Sequence, residues 1–159
     1  MTPVFHALAP ASAAYPFLRK DSHRLLLLQG GVIALAGVLP DLLDPHTTLQ
    51  ARHVSFTHTL AAWAGFSALL ILPAWKFAKT LPPSFWCIVS LSYLSHIFLD
   101  AISGGVQCLR PISSVLVGGP YVPFRYWLWC DVAALVTAYT LYRWLPVFRK
   151  RLSGKPQLR

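Results

Sequence analysis

Four long runs, Leu25 to Pro40, His58 to Pro73, Phe85 to Ile102 and Tyr126 to Leu145, carry almost no charged side chains. No other feature restricts the chain as much. Only 12% of the residues are charged and 55% are hydrophobic, where a soluble domain usually carries about a quarter charged. Each run approaches the roughly 20 residues that cross a bilayer as a helix. The first of them reaches that length by continuing to Leu43, which sets Asp41 and Asp44 at the lipid–water boundary. Gly30, Gly31 and Gly37 on it allow close helix contacts. An earlier apolar stretch, residues 3–18, is broken by Pro10 and Pro16 and reads as a short or kinked membrane helix. It is not a signal peptide, because no positive region precedes it. The expected fold is therefore all-α, a polytopic transmembrane helical bundle of about five membrane segments. It is one integral-membrane domain over residues 1–159, with a basic tail at 146–159. Residues 45–56 read as a polar connection, Pro82-Pro83 as a tight turn and residues 103–125 as a Gly/Pro-rich loop. Trp127, Trp129 and Trp144 mark the two ends of the last run as an aromatic belt does.

The net charge of +9 gives the bundle a direction. If the runs alternate across the membrane, Arg19, Lys20, Arg24, Lys76, Lys79 and six residues of the C-terminal region (Arg143, Arg149, Lys150, Arg151, Lys155 and Arg159) share one side. Only Arg52, Arg110 and Arg125 share the other. Basic residues accumulate on the cytoplasmic side, so the C-terminus is expected there. No basic face interleaves with stacking aromatics, which argues against nucleic acid as a partner.

Most of the histidine and aspartate falls on the opposite, extracytoplasmic side, and only Asp21 and His23 fall on the cytoplasmic one. The chain has five carboxylate side chains, all Asp. Asp41 and Asp44 lie three apart, followed by His46, His53 and His58. His96 and Asp100 lie four apart, so a helix sets them on one face within reach of one ion. His53 and His58 are five apart and do not share a helical face, so His53 is expected on the connection and His58 at the helix start. Asp44-Pro45-His46 also has the composition of a turn. Ionisable groups at membrane depth are costly unless they face a cavity or a partner. A cation removes that cost. Imidazole with carboxylate suits Zn²⁺ first, with Mn²⁺ or Fe²⁺ possible. The number of candidate ligands, His6, Asp41, Asp44, His53, His58, His96 and Asp100, suggests two or more ions sharing a bridging Asp. Such a centre activates water for phosphoester hydrolysis, with Asp41, His58 and Asp100 as the candidate catalytic residues. Arg52, Arg110 or Arg125 can grip the phosphate. Asp131 reads as an acceptor behind a ligand histidine or as a partner of Arg125.

Several of these segments together resemble the YdjM-like family of LexA-regulated, membrane-bound metal-dependent hydrolases of the inner membrane. They are Pro3-Val4-Phe5-His6, Gly37-Val38-Leu39-Pro40-Asp41-Leu42-Leu43-Asp44, His53 with Thr57-His58-Thr59, and Ser95-His96-Ile97-Phe98-Leu99-Asp100 followed by Gly105 and Arg110-Pro111. The resemblance covers residues 6–111. It implies metal-ligand roles for His6, Asp41, Asp44, His53, His58, His96 and Asp100. The family is similar to the zinc-dependent phospholipase C and P1 nuclease group. The sequence departs from the family pattern in two places. Leu42-Leu43 spaces the aspartates one residue wider than Asp-x-Asp, and Val54-Ser55 stands where the family has Arg-Gly after its histidine.

The expectation is a metal-dependent hydrolase of a phospholipid or lipid-linked phosphoester, in the bacterial inner (plasma) membrane, with its active site extracytoplasmic. Two other classes compete. A haem-binding membrane protein needs two histidines on facing helices deep in the apolar layer. A metal or proton transporter needs ionisable groups along the full depth of the bundle. Cys87, Cys108 and Cys130 have no CxxC spacing for a thiolate site, and Cys108 can pair with Cys130 only in an oxidising compartment.

Overall fold

The computed structural model describes residues 1–45 and 48–152. His46 and the tail residues Lys155 and Arg159 lie outside the described residues. The described residues form eight α-helices in order, α1 Pro3–Ala14, α2 His23–Leu43, α3 Leu49–Val54, α4 Leu60–Leu69, α5 Ile71–Lys76, α6 Pro83–Ser103, α7 Trp127–Tyr139 and α8 Leu145–Leu152. Among the described residues there is no strand, only two isolated bridges, Ser103 with Pro120 and Val106 with Val117.

Local chemistry sets the helix starts. The side chains of Thr2, Ser22, Thr48 and Thr59 each accept from a backbone N–H one turn on, at Phe5, Leu25, Ala51 and Ala62. Each bond satisfies a donor that the helix itself leaves open. Pro3 and Pro83 occupy first helical positions, where a missing N–H costs nothing. Thr48 converts part of the expected polar connection into α3. His53 therefore stands on the last turn of a short helix rather than on a loop, and His58 closes a 3₁₀ turn, Phe56–His58, just ahead of α4.

Among the described residues, two helices are long and apolar enough to cross a membrane, α2 with a mean hydropathy of 1.8 and α6 with 1.5. The other three expected segments are helical but shorter or divided. The first gives the 12-residue α1 and a 3₁₀ turn around Pro16. The third divides at Leu70 into α4 and α5, because Pro73 has no N–H to give Leu69. The fifth passes from α7 through a π turn, Thr140–Trp144, into α8. Among the described residues the structure thus supports an all-α fold with two spanning-length helices, and it does not confirm the other three expected segments as spans.

The two long helices run parallel in a fixed register. Ser92 Oγ donates to the carbonyl of Ile33 at 2.7 Å, and one turn later His96 Nδ1 lies 2.8 Å from the carbonyl of Gly37. A further turn brings Asp41 and Asp100 to the same level, at the C-terminal ends of both helices. Helix α1 crosses them where Gly37 has no side chain. A Cβ there would stand 2.3 Å from the carbonyl oxygen of His6. Asp131 on α7 accepts from the Thr2 hydroxyl and so pins the start of α1, while Tyr142 donates to the carbonyl of Ala11 at 2.7 Å. Ala11, Tyr15, Leu26, Ile33, Phe85 and Val89 fill the core at the far end.

The surface inverts the usual order of a soluble protein. Leu28, Leu72 and Leu128 are 59%, 68% and 67% exposed, whereas His6, His58 and His96 are fully buried. Apolar side chains outside and ionisable ones inside fit a lipid surround. The 104–123 segment folds back over the C-terminal end of α6 through Gly119 N–H to the Ala101 carbonyl and Val122 N–H to the Ile102 carbonyl. It also reaches His53 and Leu60, by Gln107 N–H to the His53 carbonyl and Leu60 N–H to the Cys108 carbonyl. Cys87, Cys108 and Cys130 are all free thiols, so the Cys108–Cys130 pair does not form.

Candidate metal centre

Asp41 from the end of α2, His58 from the 3₁₀ turn, and His96 and Asp100 from α6 converge. One ligand atom from each lies within 4.8 Å of the others. His58 Nε2 stands 3.0 Å from His96 Nε2, 3.1 Å from Asp100 Oδ2 and 3.4 Å from Asp41 Oδ1. His96 Nε2 stands 3.4 Å from Asp100 Oδ2 and 3.5 Å from Asp41 Oδ1. Ligands at 2.0–2.1 Å from a tetrahedral ion are separated by about 3.3 Å. These edges therefore have the size of a tetrahedral shell for a first-row divalent ion.

The hydrogen-bond network assigns the histidine tautomers. The Gly37 carbonyl can only accept, so His96 Nδ1 carries the hydrogen and donates it. On the other ring, Ser55 Oγ gives its one hydrogen to Asp44 Oδ2 at 2.6 Å. That leaves its lone pairs for His58 Nδ1 at 3.0 Å, and Nδ1 is the donor. Both rings then turn Nε2 toward the carboxylate oxygens. Asp100 Oδ2 is buried with no hydrogen-bond partner. Two ring nitrogens and two carboxylate oxygens this close call for a positive charge among them, a proton or a metal ion, and partners on the distal nitrogens are the usual way of orienting metal-bound histidines. Asp41, His58, His96 and Asp100 can hold a metal ion.

The remaining sequence candidates take other positions. His6 is buried beside the four, with its ring centroid 3.9 Å from that of His96 and its Nε2 3.2 Å from Asp100 Oδ1. Asp44 does not face the centre with Oδ2, which receives Ser55. His53 turns away, with Nε2 3.1 Å from the carbonyl of Gly104. Arg52 is buried, and its Nη1 donates to Asp100 Oδ1 at 2.8 Å. Arg110 is exposed beside Gln107, and Arg125 is exposed with its guanidinium over the Tyr126 ring at 4.9 Å. Asp131 meets Thr2, not Arg125 and not a histidine.

Sequence reasoning missed Ser55, Thr57 and the carbonyl of Gly37. Thr57 Oγ1 lies 3.2 Å from His58 Nδ1 and donates to the Pro40 carbonyl at 3.1 Å, tying the 3₁₀ turn to the end of α2. A hydroxyl three residues before a candidate ligand was the available signal for Ser55. Nothing local marks a backbone carbonyl. The amino group of Met1 lies 2.8 Å from Ser103 Oγ and 3.5 Å from Asp100 Oδ1, and burial lowers its pKa.

No curated protein and no solved structure matches the chain. The profile that does match is that of the YdjM inner membrane protein family, over residues 1–152, a span that takes in all four converging ligands and both spanning-length helices. On that match the chain belongs to the YdjM inner membrane protein family.

Proposed function

We propose that this protein is a membrane-embedded, metal-dependent hydrolase of phosphoesters, acting on a phospholipid or lipid-linked substrate at the extracytoplasmic face. The carrying observation is the set of ligand-atom separations, 3.0 to 3.5 Å from the His58 and His96 nitrogens to each other and to Asp41 and Asp100, with all four atoms within 4.8 Å. A divalent ion bound there supplies Lewis acidity and water activation near neutral pH. The hardness of the donor set favours zinc, then manganese or iron.

The protein residues divide the work by exposure. His58, His96 and Asp100 are sealed in and serve as fixed ligands. The Asp41 side chain is 20% exposed and is the carboxylate that solvent and substrate reach first. It is the group suited to take a proton from the attacking water. The centre lies at the C-terminal ends of α2 and α6, and Arg24 stands about 26 Å away at the other end of α2, by helix rise. The positive-inside rule then puts the centre on the extracytoplasmic side, at the depth of lipid head groups. A haem reading fits less well, since imidazole nitrogens 3.0 Å apart leave no room for a macrocycle between them.

Elemental analysis of the purified protein, wild type beside Asp41→Ala and His96→Ala, tests the reading. Metal in the wild type and its loss in both variants supports a shared centre. A screen of headgroup-labelled phospholipid vesicles then tests the reaction. A wild type that takes up no metal after reconstitution overturns the proposal.

A further inference from the structure

Arg52 is 5% exposed, yet only its Nη1 has a hydrogen-bond partner. Its Nε and Nη2 are buried and make no hydrogen bond. An arginine cannot shed its charge, and a buried N–H without an acceptor is costly. Two such groups side by side form the edge of the guanidinium that matches a carboxylate or phosphate oxygen pair. The opposite side of the guanidinium lies against Asp100 Oδ1, the oxygen that also faces His6 Nε2 at 3.2 Å. A second metal ion bridged through Asp100 Oδ1 and His6 would need the space and the charge balance that Arg52 already occupies.

We propose that Arg52 is the fixed second cation of the centre. It neutralises the Oδ1 side of Asp100, so the cluster takes one divalent ion on the Oδ2 side, and its Nε–H and Nη2–H edge receives an anionic oxygen of the substrate. The chemistry recognised is that of a phosphate or a similar oxyanion. This inference rests on the hydrolase reading above and adds to it a metal count and an anion-holding residue.

The test uses the full-length protein in detergent, with Arg52→Lys, Arg52→Gln and, as a control, Arg110→Gln. Zinc content is read by elemental analysis, and inorganic phosphate binding to the zinc-loaded protein by calorimetry. The wild type is expected to hold one equivalent of zinc. Both Arg52 variants are expected to keep zinc and to bind phosphate about tenfold or more weakly, the scale of a lost charge-assisted pair. Arg110→Gln is expected to match the wild type. Two or more tightly held equivalents in the wild type overturn the fixed-cation assignment, and this arm stands even if the Arg52 variants fail to fold. Unchanged phosphate affinity in folded Arg52→Lys and Arg52→Gln overturns the anion site. An absence of zinc from the wild type would instead remove the hydrolase reading beneath both.

Discussion

His96 donates from Nδ1 to the carbonyl of Gly37 at 2.8 Å, and this bond ties the register of the two long helices to the direction of a candidate ligand lone pair. The same glycine lets α1 cross close enough for His6 to stack on His96. Replacing it has two consequences. In Gly37→Ala the new Cβ meets the His6 carbonyl oxygen at 2.3 Å and Ser92 Oγ and Pro10 Cγ at 3.0 Å. The contact at 2.3 Å is with backbone, so α1 has to move. The expected cost is about 1–3 kcal/mol, read as a lower thermal midpoint, with a lower zinc affinity because the His96 partner shifts. A midpoint and zinc affinity equal to wild type would mean that α1 packs differently.

Ser55 joins His58 Nδ1 to Asp44 and so fixes which His58 nitrogen faces the centre. Removing such an outer partner typically costs 10–100-fold in metal affinity. Ser55→Ala is expected to fall in that range in a zinc competition titration, with the fold retained by circular dichroism. An unchanged affinity would show that Thr57 alone sets the tautomer.

His53 and His58 are both histidines of the same motif, yet they are expected to behave oppositely. His53 Nε2 lies against the Gly104 carbonyl, outside the four converging atoms. His53→Ala should retain the zinc content of the wild type, whereas His58→Ala should lose it. Loss of zinc in both variants would return His53 to the ligand set.

Asp100 is buried between the histidines and Arg52, so breaking it leaves an unpaired buried cation. Asp100→Asn is expected to destabilise the protein by about 3–5 kcal/mol and to abolish zinc binding. Denaturant unfolding in detergent measures the first effect and elemental analysis the second. A stable, zinc-replete Asp100→Asn variant contradicts the site.

Gly118 adopts φ +92°, and a Cβ there would lie 2.0 Å from the carbonyl oxygen of Ala101. Gly118→Ala should therefore displace the segment that folds over the end of α6, by an unfavourable left-handed backbone and by direct overlap. Faster proteolysis between residues 104 and 123 is the expected readout. Cleavage at the wild-type rate would show that the segment does not depend on this approach.

What is local could be read along the chain. Long, nearly uncharged runs decided on helices, and the four-residue spacing of His96 and Asp100 fixed their common face, because both follow from helix geometry. Proline and threonine positions bounded those helices, although the capping strength of Thr48 and the break at Pro73 were not apparent, since each depends on the turn beside it. Which candidates meet depends on packing between helices. The parallel register of α2 and α6 brings Asp41 level with Asp100, α3 docks against the end of α6 so that His53 spends its ring on the Gly104 carbonyl, and the same docking buries Arg52 on Asp100. Spacing along a chain cannot encode these outcomes, because they are set by distances between residues 48 to 59 positions apart, which only packing determines.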